Sequence, residues 1–378
     1  MQVREYNSVE ELAPLRDAWR RLHEQTPQAS FFQSLDWLEV YWRHHGARQR
    51  LRVLALEDRD ATTGILPLVV RRERTKLGSL RFLTYPLDYW GSFYGPIGAN
   101  PHAVWAAGLD YLRSAPRDWD VLEPRWVGGQ QDDRGRLERL LCGAGMQPVV
   151  TALDSAAVIE LDGTWDEYFS RRTAKWRNNY RRWSRRIDEL GKVTHVRHRP
   201  TGGTDGDPRW DLYDQCREIA KASWQGSSKT GTTLTHSSVA DFLRDVHEAA
   251  AHCGGLDLNL LYLNERPIAF AYNYHFRGQV FGLRVGYDPE LKNIGAGNLL
   301  YARVIEDSFR RGDWRYDIGP GTLDAKRQLW TDVLPIYRLS CFRSYSLRHQ
   351  LLRLKRRRDA RKQAAAVGKT PAWQAVSS

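Results

Sequence analysis

The sharpest chemical signal in the chain is a short loop between a strand-like and a helix-like segment. It reads Lys292-Asn293-Ile294-Gly295-Ala296-Gly297-Asn298, after FGLRVGYD and before LLYARVIEDSF. Two glycines and an alanine let backbone N–H groups approach an anion closely, and a helix starting there adds the positive end of its dipole. Together they would cradle a pyrophosphate. An ordinary strand–helix turn has the same composition, so the loop alone leaves both readings open. It is not a Walker A loop, because no Gly-Lys-Ser/Thr follows. It is not a dinucleotide fingerprint either, because the strand before it belongs to an antiparallel meander.

Other residues of chemical interest stand around this loop. Asp317, in RYDIGPG, lies on the strand after the helix, where a carboxylate accepts a proton, anchors a substrate, or caps the turn Gly319-Pro320-Gly321. Lys326 follows in a short helical stretch, suited to hold an anion or simply exposed. Tyr287 and Asp288 end the strand before the loop, and Asp288-Pro289 is also a turn signature. In YPLDYWGSFYGP, Asp88, Tyr89 and Trp90 form an aromatic loop suited to recognise an amino or hydroxyl group, or an Asx-turn. No metal site is expected. His44-His45 and His195/His198 lack a Cys or carboxylate at ligand spacing, and the four cysteines are scattered without a CxxC pair.

The elements that must position these residues follow from periodicity. Helices are expected at 8–26, with Ser8 and Glu11 as a capping box, and over FFQSLDWLEVYWRHHG. LRVLALED and TTGILPLVVRR read as strands, 101–114 and 132–143 as helices, and DVLEPRWV as a strand. A strand at about 156–161 precedes one long amphipathic helix, 165–190, carrying Trp165, Phe169, Trp176, Tyr180, Trp183, Ile187 and Leu190. After VTHVRH and a Gly/Pro/Asp linker come helices at 209–224 and 237–253. Then follow the meander LDLNLLYL, PIAFAYNYHF, QVFGLRVGYD, a helix from about Asn298 to Arg311, and strands at WRYDIG and PIYRLSCFR. The order α-α-β-β-β-α-β-α-β occurs twice, which predicts two copies of one α/β domain.

The length of 378 residues agrees with two domains, and 42% hydrophobic with 27% charged residues is a globular composition. No signal peptide or membrane span is read from the sequence, so a soluble, cytoplasmic protein is expected. The net charge of +12 is concentrated. Residues 343–378 hold ten Lys/Arg and one Asp; residues 171–190 hold eight Lys/Arg, one Asp and one Glu. These two segments are the candidates for contact with an anionic membrane surface or a nucleic acid such as tRNA, or are solvated basic faces.

In order along the chain, FFQSLDWLEVYWRHHG, GILPLVVRR, RRTAKWRNNYRRWSRRIDELGKV, NERPIAFAYN, GYDPELKNIGAGNLL and RYDIGPGTLDAKRQL resemble the double-domain branch of the GNAT acyltransferase superfamily, related to the Fem aminoacyltransferases and the CelD-like proteins of polysaccharide operons. The resemblance spans residues 31–330. It implies an α/β fold of two tandem GNAT-like domains with a cleft between them: 1–155, 156–342 with the acyl-CoA loop, and a basic helix and tail at 343–378. It implies acyl-CoA, acetyl or longer, as co-substrate, bound by Arg284, Val285, Lys292, Gly295, Ala296, Gly297 and Asn298. Asp317, Lys326 and Tyr287 become the catalytic candidates, with Tyr337 as a further proton donor, and Asp88, Tyr89 and Trp90 the acceptor-binding ones. The implied activity is N-acylation of an amine, such as an amino sugar or a cell-envelope or polysaccharide precursor. A Fem-like transfer from aminoacyl-tRNA and a non-catalytic basic binding module are the alternatives. The first copy's loop, Tyr94 to Pro101, contains Pro96 and Pro101, each lacking a backbone donor, which argues against a second CoA site there.

Overall fold

The computed structural model describes residues 2–59, 61–76, 78–88, 90–128, 131–321, 326–342 and 347–367, with side chains for all of these except 131–133 and 364–367. The first half runs β1 (Gln2–Tyr6), α1 (Arg16–Gln25), α2 (Leu35–His45), β2 (Gln49–Asp58), β3 (Ala61–Thr75), β4 (Gly78–Thr84), α3 (Pro101–Ser114), β5 (Val121–Leu122), α4 (Gln131–Gly143) and β6 (Val149–Glu160). Two helices, α5 (Trp165–Ser170) and α6 (Ala174–Asp188), lead to the second half. That half repeats the pattern: β7 (Val193–His198), α7 (Trp210–Ala222), α8 (Ala240–His252), β8 (Leu256–Leu263), β9 (Arg266–Phe276), β10 (Gln279–Tyr287), α9 (Ala296–Arg311), β11 (Arg315–Pro320) and β12 (Asp332–Phe342). A C-terminal helix, Leu347–Val367, follows.

All twelve strands form one mixed sheet, in the order β1-β2-β3-β4-β5-β12-β6-β11-β10-β9-β8-β7. Exchange each strand for its counterpart six places on, read backwards, and the order is unchanged. The chain is therefore a duplicated unit with an internal twofold. In each half the fourth and fifth strands are parallel and joined by a helix: β4 with β5 through α3, and β10 with β11 through α9. The last strands are exchanged. β6, from the first half, pairs with β11, while β12, from the second, pairs with β5. β6 and β12 then pair with each other from Ser340↔Val149 to Asp332↔Val158. The two halves thus share one sheet, and the boundary expected between residues 155 and 156 falls inside β6.

Burial follows this sharing. A large apolar cluster runs through both halves, including Trp37 and Tyr41 of α2, Phe242 and Val246 of α8, Leu54 and Leu66, and Ile336 and Leu339 of β12. Phe32 stands edge-on to Tyr274 at 5.7 Å and to Phe281 at 5.9 Å, so aromatic rings of the first half interlock with the second. A second cluster packs α5, α6 and α9 on the sheet of the second half.

Three local expectations differ from the structure. The helix expected at 8–26 is a 3-10 turn over Glu10–Leu15 followed by α1, because Pro14 lacks the amide that would continue regular α-helical bonding. The single helix expected over 165–190 is two. α5 ends at Ser170, and Thr173 opens α6 by accepting a hydrogen bond from the Trp176 amide at 3.2 Å, so its hydroxyl competes with helix continuation. β1 is a short, mostly polar edge strand with no apolar alternation to reveal it.

Because Ile336 is fully buried on the strand that closes both halves, Ile336→Ala should destabilise the whole protein by about 2–5 kcal/mol. Urea unfolding followed by far-UV and near-UV circular dichroism should show one coincident transition at lower urea, not loss of one half alone.

Candidate functional site

The site forms where β10 and β11 part. They run parallel from Gln279↔Arg315 to Phe281↔Asp317 and then separate. A bulge at Leu283, between Gly282 and Arg284, turns β10 away. Glycines allow the backbones to stay close at the point of parting. A Cβ on Gly282 would lie 2.9 Å from the Asp317 carbonyl oxygen, and one on Gly319, whose φ is +83°, would lie 2.7 Å from the Gly282 carbonyl oxygen.

At the wide end stands the first turn of α9. Gly295 enters it in the left-handed conformation with φ +73°, and no side chain caps the helix. The amides of Ala296, Gly297 and Asn298 are thus first-turn donors without a capping acceptor, at the positive end of a sixteen-residue helix. This donor set fits an anion such as a pyrophosphate. α9 is held in place from behind by charge: Arg197 of β7 is buried with Asp257 at 2.7 Å and Asp307 of α9 at 3.0 Å. Aromatic rings surround the loop. A Cβ on Gly295 would lie 2.6 Å from the Trp183 indole, and one on Gly297 would lie 2.9 Å from the Tyr287 ring. Tyr287 therefore packs on the loop at its helix side.

In the narrow end of the gap sits Asp317, fully buried. Its Oδ1 accepts the Gly319 N–H at 2.7 Å, and its Oδ2 has no hydrogen-bond partner. Burial pushes its pKa up, against smaller opposing effects from Ser92 of the first half, the Gly319 amide and the Lys326 ammonium. Lys326 donates to the carbonyls of Gly319 at 2.7 Å and Pro320 at 3.0 Å, and burial pushes its pKa down to about 8. Arg284 lies across the gap. Its guanidinium stacks over Trp90 of the first half at 4.3 Å and donates to the carbonyls of Thr232 and Leu283. Among the described residues it has no carboxylate partner, and burial lowers its pKa to about 10. Two cations and one carboxylate thus share a low-dielectric space, which leaves a positive excess for an anionic group of a ligand.

The remaining candidates divide. Trp90 joins the site as the platform under Arg284. Asp88 does not reach it freely, since Arg71 holds its carboxylate at 2.8 Å. Tyr89 lies outside the described residues. The Val285 carbonyl accepts from Gln225 at 3.2 Å, and Lys292 and Asn298 are exposed beside the loop. Tyr337 lies in β12, where its backbone pairs with Val127 of the first half and Arg134 covers its ring at 4.9 Å. Sequence reasoning missed Trp183, Ser92 and Gln225, whose roles depend on which loops meet.

A cavity of about 500 Å³ opens on the strand face that carries Asp317. Its walls include Phe281 and Arg315, neighbours of Asp317 by register, and Tyr85, Phe93, Tyr94 and Trp105 of the first half. Two buried polar atoms there, Gln279 Oε1 and Tyr94 Oη, have no hydrogen-bond partner. No group of three or more His, Cys, Asp or Glu able to hold a metal occurs among the described residues.

Known proteins place this geometry. Residues 174–327 match the family model described as an acetyltransferase (GNAT) domain. Among solved structures, FemX is similar over 94% of this chain and 100% of that one, with a TM-score of 0.62 at 13% identity. A conserved protein of unknown function from Bacteroides thetaiotaomicron is similar over 90% of this chain and 100% of that one, with a TM-score of 0.51 at 11% identity. At these identities the likeness is one of fold. No curated protein matches the chain. The open helix turn at a parting of parallel strands lies within the matched stretch, and the strand order doubles that architecture: residues 174–327 match a GNAT acetyltransferase domain, and the chain as a whole has a double fold similar to that of FemX.

Proposed function

We propose that the protein transfers an acyl group from acyl-CoA to the amine of an amino sugar or a related cell-envelope or polysaccharide precursor. The observation that carries the reading is the buried Asp317, with one oxygen unpartnered, at the inner end of a gap whose outer end is an uncapped helix turn. The bound co-substrate would supply the activated thioester carbonyl. The amides of Ala296, Gly297 and Asn298, with Lys292 at the rim, would hold its pyrophosphate, and Arg284 would take a further anionic group. Asp317 Oδ2 would accept the proton the amine must lose, and its raised pKa brings its basicity nearer neutral pH, where a general base is most effective. Lys326, as an ammonium, keeps that carboxylate ionised and can return a proton to the leaving thiolate. The aromatic walls and the unpartnered Gln279 and Tyr94 atoms suit a sugar, which offers apolar ring faces and hydroxyl donors.

A second donor, aminoacyl-tRNA, is favoured by one feature. Arg181, Arg182, Arg185 and Arg186 are exposed on α6, the helix whose Trp183 covers Gly295. Isothermal titration with acetyl-CoA and longer acyl-CoAs separates the readings: micromolar CoA binding supports the first, and its absence alongside tRNA-dependent transfer supports the second.

Three measurements follow from the site. Substitution at Gly295 or Gly297 would first collide with Trp183 or Tyr287, so exposed Lys292 is the cleaner probe, and Lys292→Glu should weaken CoA binding with unchanged thermal stability. Lys326 holds its proton less tightly when folded, at about 8, than in the unfolded chain, at 10.5. Between these values the unfolded chain binds the extra proton, so this group's contribution to stability rises with pH and is lost as pH falls through about 8. Lys326→Met should flatten that rise, read from Tm between pH 7 and roughly 10.5. Asp317→Asn should lower turnover on an amino-sugar panel by about 10²–10⁴ while CoA affinity stays the same; full activity would place the base elsewhere.

A further inference from the structure

One side of the C-terminal helix is anchored to the protein. Leu352 is buried in a small cluster with Leu80, Phe82 and Val121. Arg356 reaches the buried carboxylate of Glu123 at 3.3 Å. Gln363 brackets the backbone of Ala152, donating to its carbonyl at 3.0 Å and accepting its N–H at 3.1 Å. The helix thus has a fixed rotation, and its other side faces out.

The outward side has an unusual composition. Leu347, Leu351 and Leu354 are 77%, 45% and 59% exposed, and they account for three of the five exposed large hydrophobics among the described residues. Spacings of four and three put them on one helix side. The same side continues with Arg358, Arg361 and Lys362, all exposed, flanked by exposed Lys355 and Arg357. Asp359 is the helix's sole acid and is half-buried. At the helix's start, Arg348 lies over Gly78 in the β3–β4 turn, where Arg74 and Lys76 are exposed as well. The outward side of the helix is therefore apolar over its first turns and cationic over the next, with no exposed acid among the helix's own described residues.

We propose that this face docks the protein on a membrane surface rich in anionic lipid headgroups. Charge complementarity alone would suit any polyanion. The leucines decide for lipid, because aligned, exposed leucines lose water only where a neighbouring phase is apolar, at the boundary of headgroups and acyl chains. The cations then meet the lipid phosphates within the range of the surface potential. No helix among the described residues is long and apolar enough to cross a membrane, so the contact is peripheral. It is independent of the acyl-transfer reading.

The test is co-sedimentation of the full chain with vesicles of phosphatidylcholine alone and of phosphatidylcholine mixed with phosphatidylglycerol. Binding is expected only to the mixed vesicles, and to fall as salt shortens the Debye length from about 10 Å to about 3 Å. The variant Lys355→Gln/Arg358→Gln/Arg361→Gln/Lys362→Gln should bind at least about 100-fold more weakly. Leu347→Gln/Leu351→Gln/Leu354→Gln should also lose at least about 10-fold at low salt, although every charge remains. All seven positions are exposed, so both variants should keep the parent Tm. Equal binding to neutral vesicles, no binding to either, or an unaffected leucine variant overturns the proposal. Tight binding of an RNA that needs the cations and ignores the leucines, with no vesicle binding, overturns it in favour of a nucleic-acid surface.

Discussion

The antiparallel pairing of β6 with β12 is the contact on which the rest of the molecule depends. Each strand ends one half of the chain and is hydrogen-bonded into the other, with Ser340↔Val149 at one end of the ladder and Asp332↔Val158 at the other. Without it, β12 and β6 would each be left with an open edge, and an open edge is a liability for an isolated sheet. The pairing also builds the site. β11 carries Asp317, and its far edge is covered by β6, where Arg315 pairs with Glu160 at 2.7 Å. A strand of the first half is thereby the wall that fixes the candidate base of the second.

Charge placement inside the gap runs against stability. A buried carboxylate with an oxygen that accepts no hydrogen bond, a desolvated ammonium and a guanidinium with no carboxylate partner among the described residues each cost free energy relative to apolar residues of the same size. Other buried charges are matched: Arg197 and Arg199 share Asp257 and Asp313, and Arg125 meets Glu73 and Glu123. The contrast supports the roles proposed for Asp317, Lys326 and Arg284 in meeting a ligand.

Much of this was readable along the sequence because it is local. The meander, the glycine loop opening α9 and the strand carrying Asp317 follow from periodicity and from glycine placement within a few residues. The exchange of last strands was not readable. Nothing local in β6 or β12 marks the partner, and the pairing joins residues nearly two hundred positions apart, as in Ser340↔Val149. The same holds for Arg284 on Trp90, Ser92 beside Asp317 and Trp183 on Gly295, all contacts between segments distant in sequence. Asp88 is a related case: its residue type suits acceptor recognition or an Asx-turn, and the Arg71 that pairs with it at 2.8 Å sits on β3.

The strand order has a consequence for how the two halves divide their work. It is the order of a twofold dimer whose subunits lend each other a terminal strand, here written into one polypeptide. In a true homodimer, both gaps must be the same, because one gene specifies both. Once the subunits are joined, each is free to drift. The first half has Pro101 at the opening of α3, where the second has an open amide, and the aromatic cavity beside it is walled by both halves. Within one polypeptide the two corresponding turns are free to differ, and they do: Pro101 and the Asn100 side chain open α3, while a left-handed Gly295 with no side-chain cap opens α9.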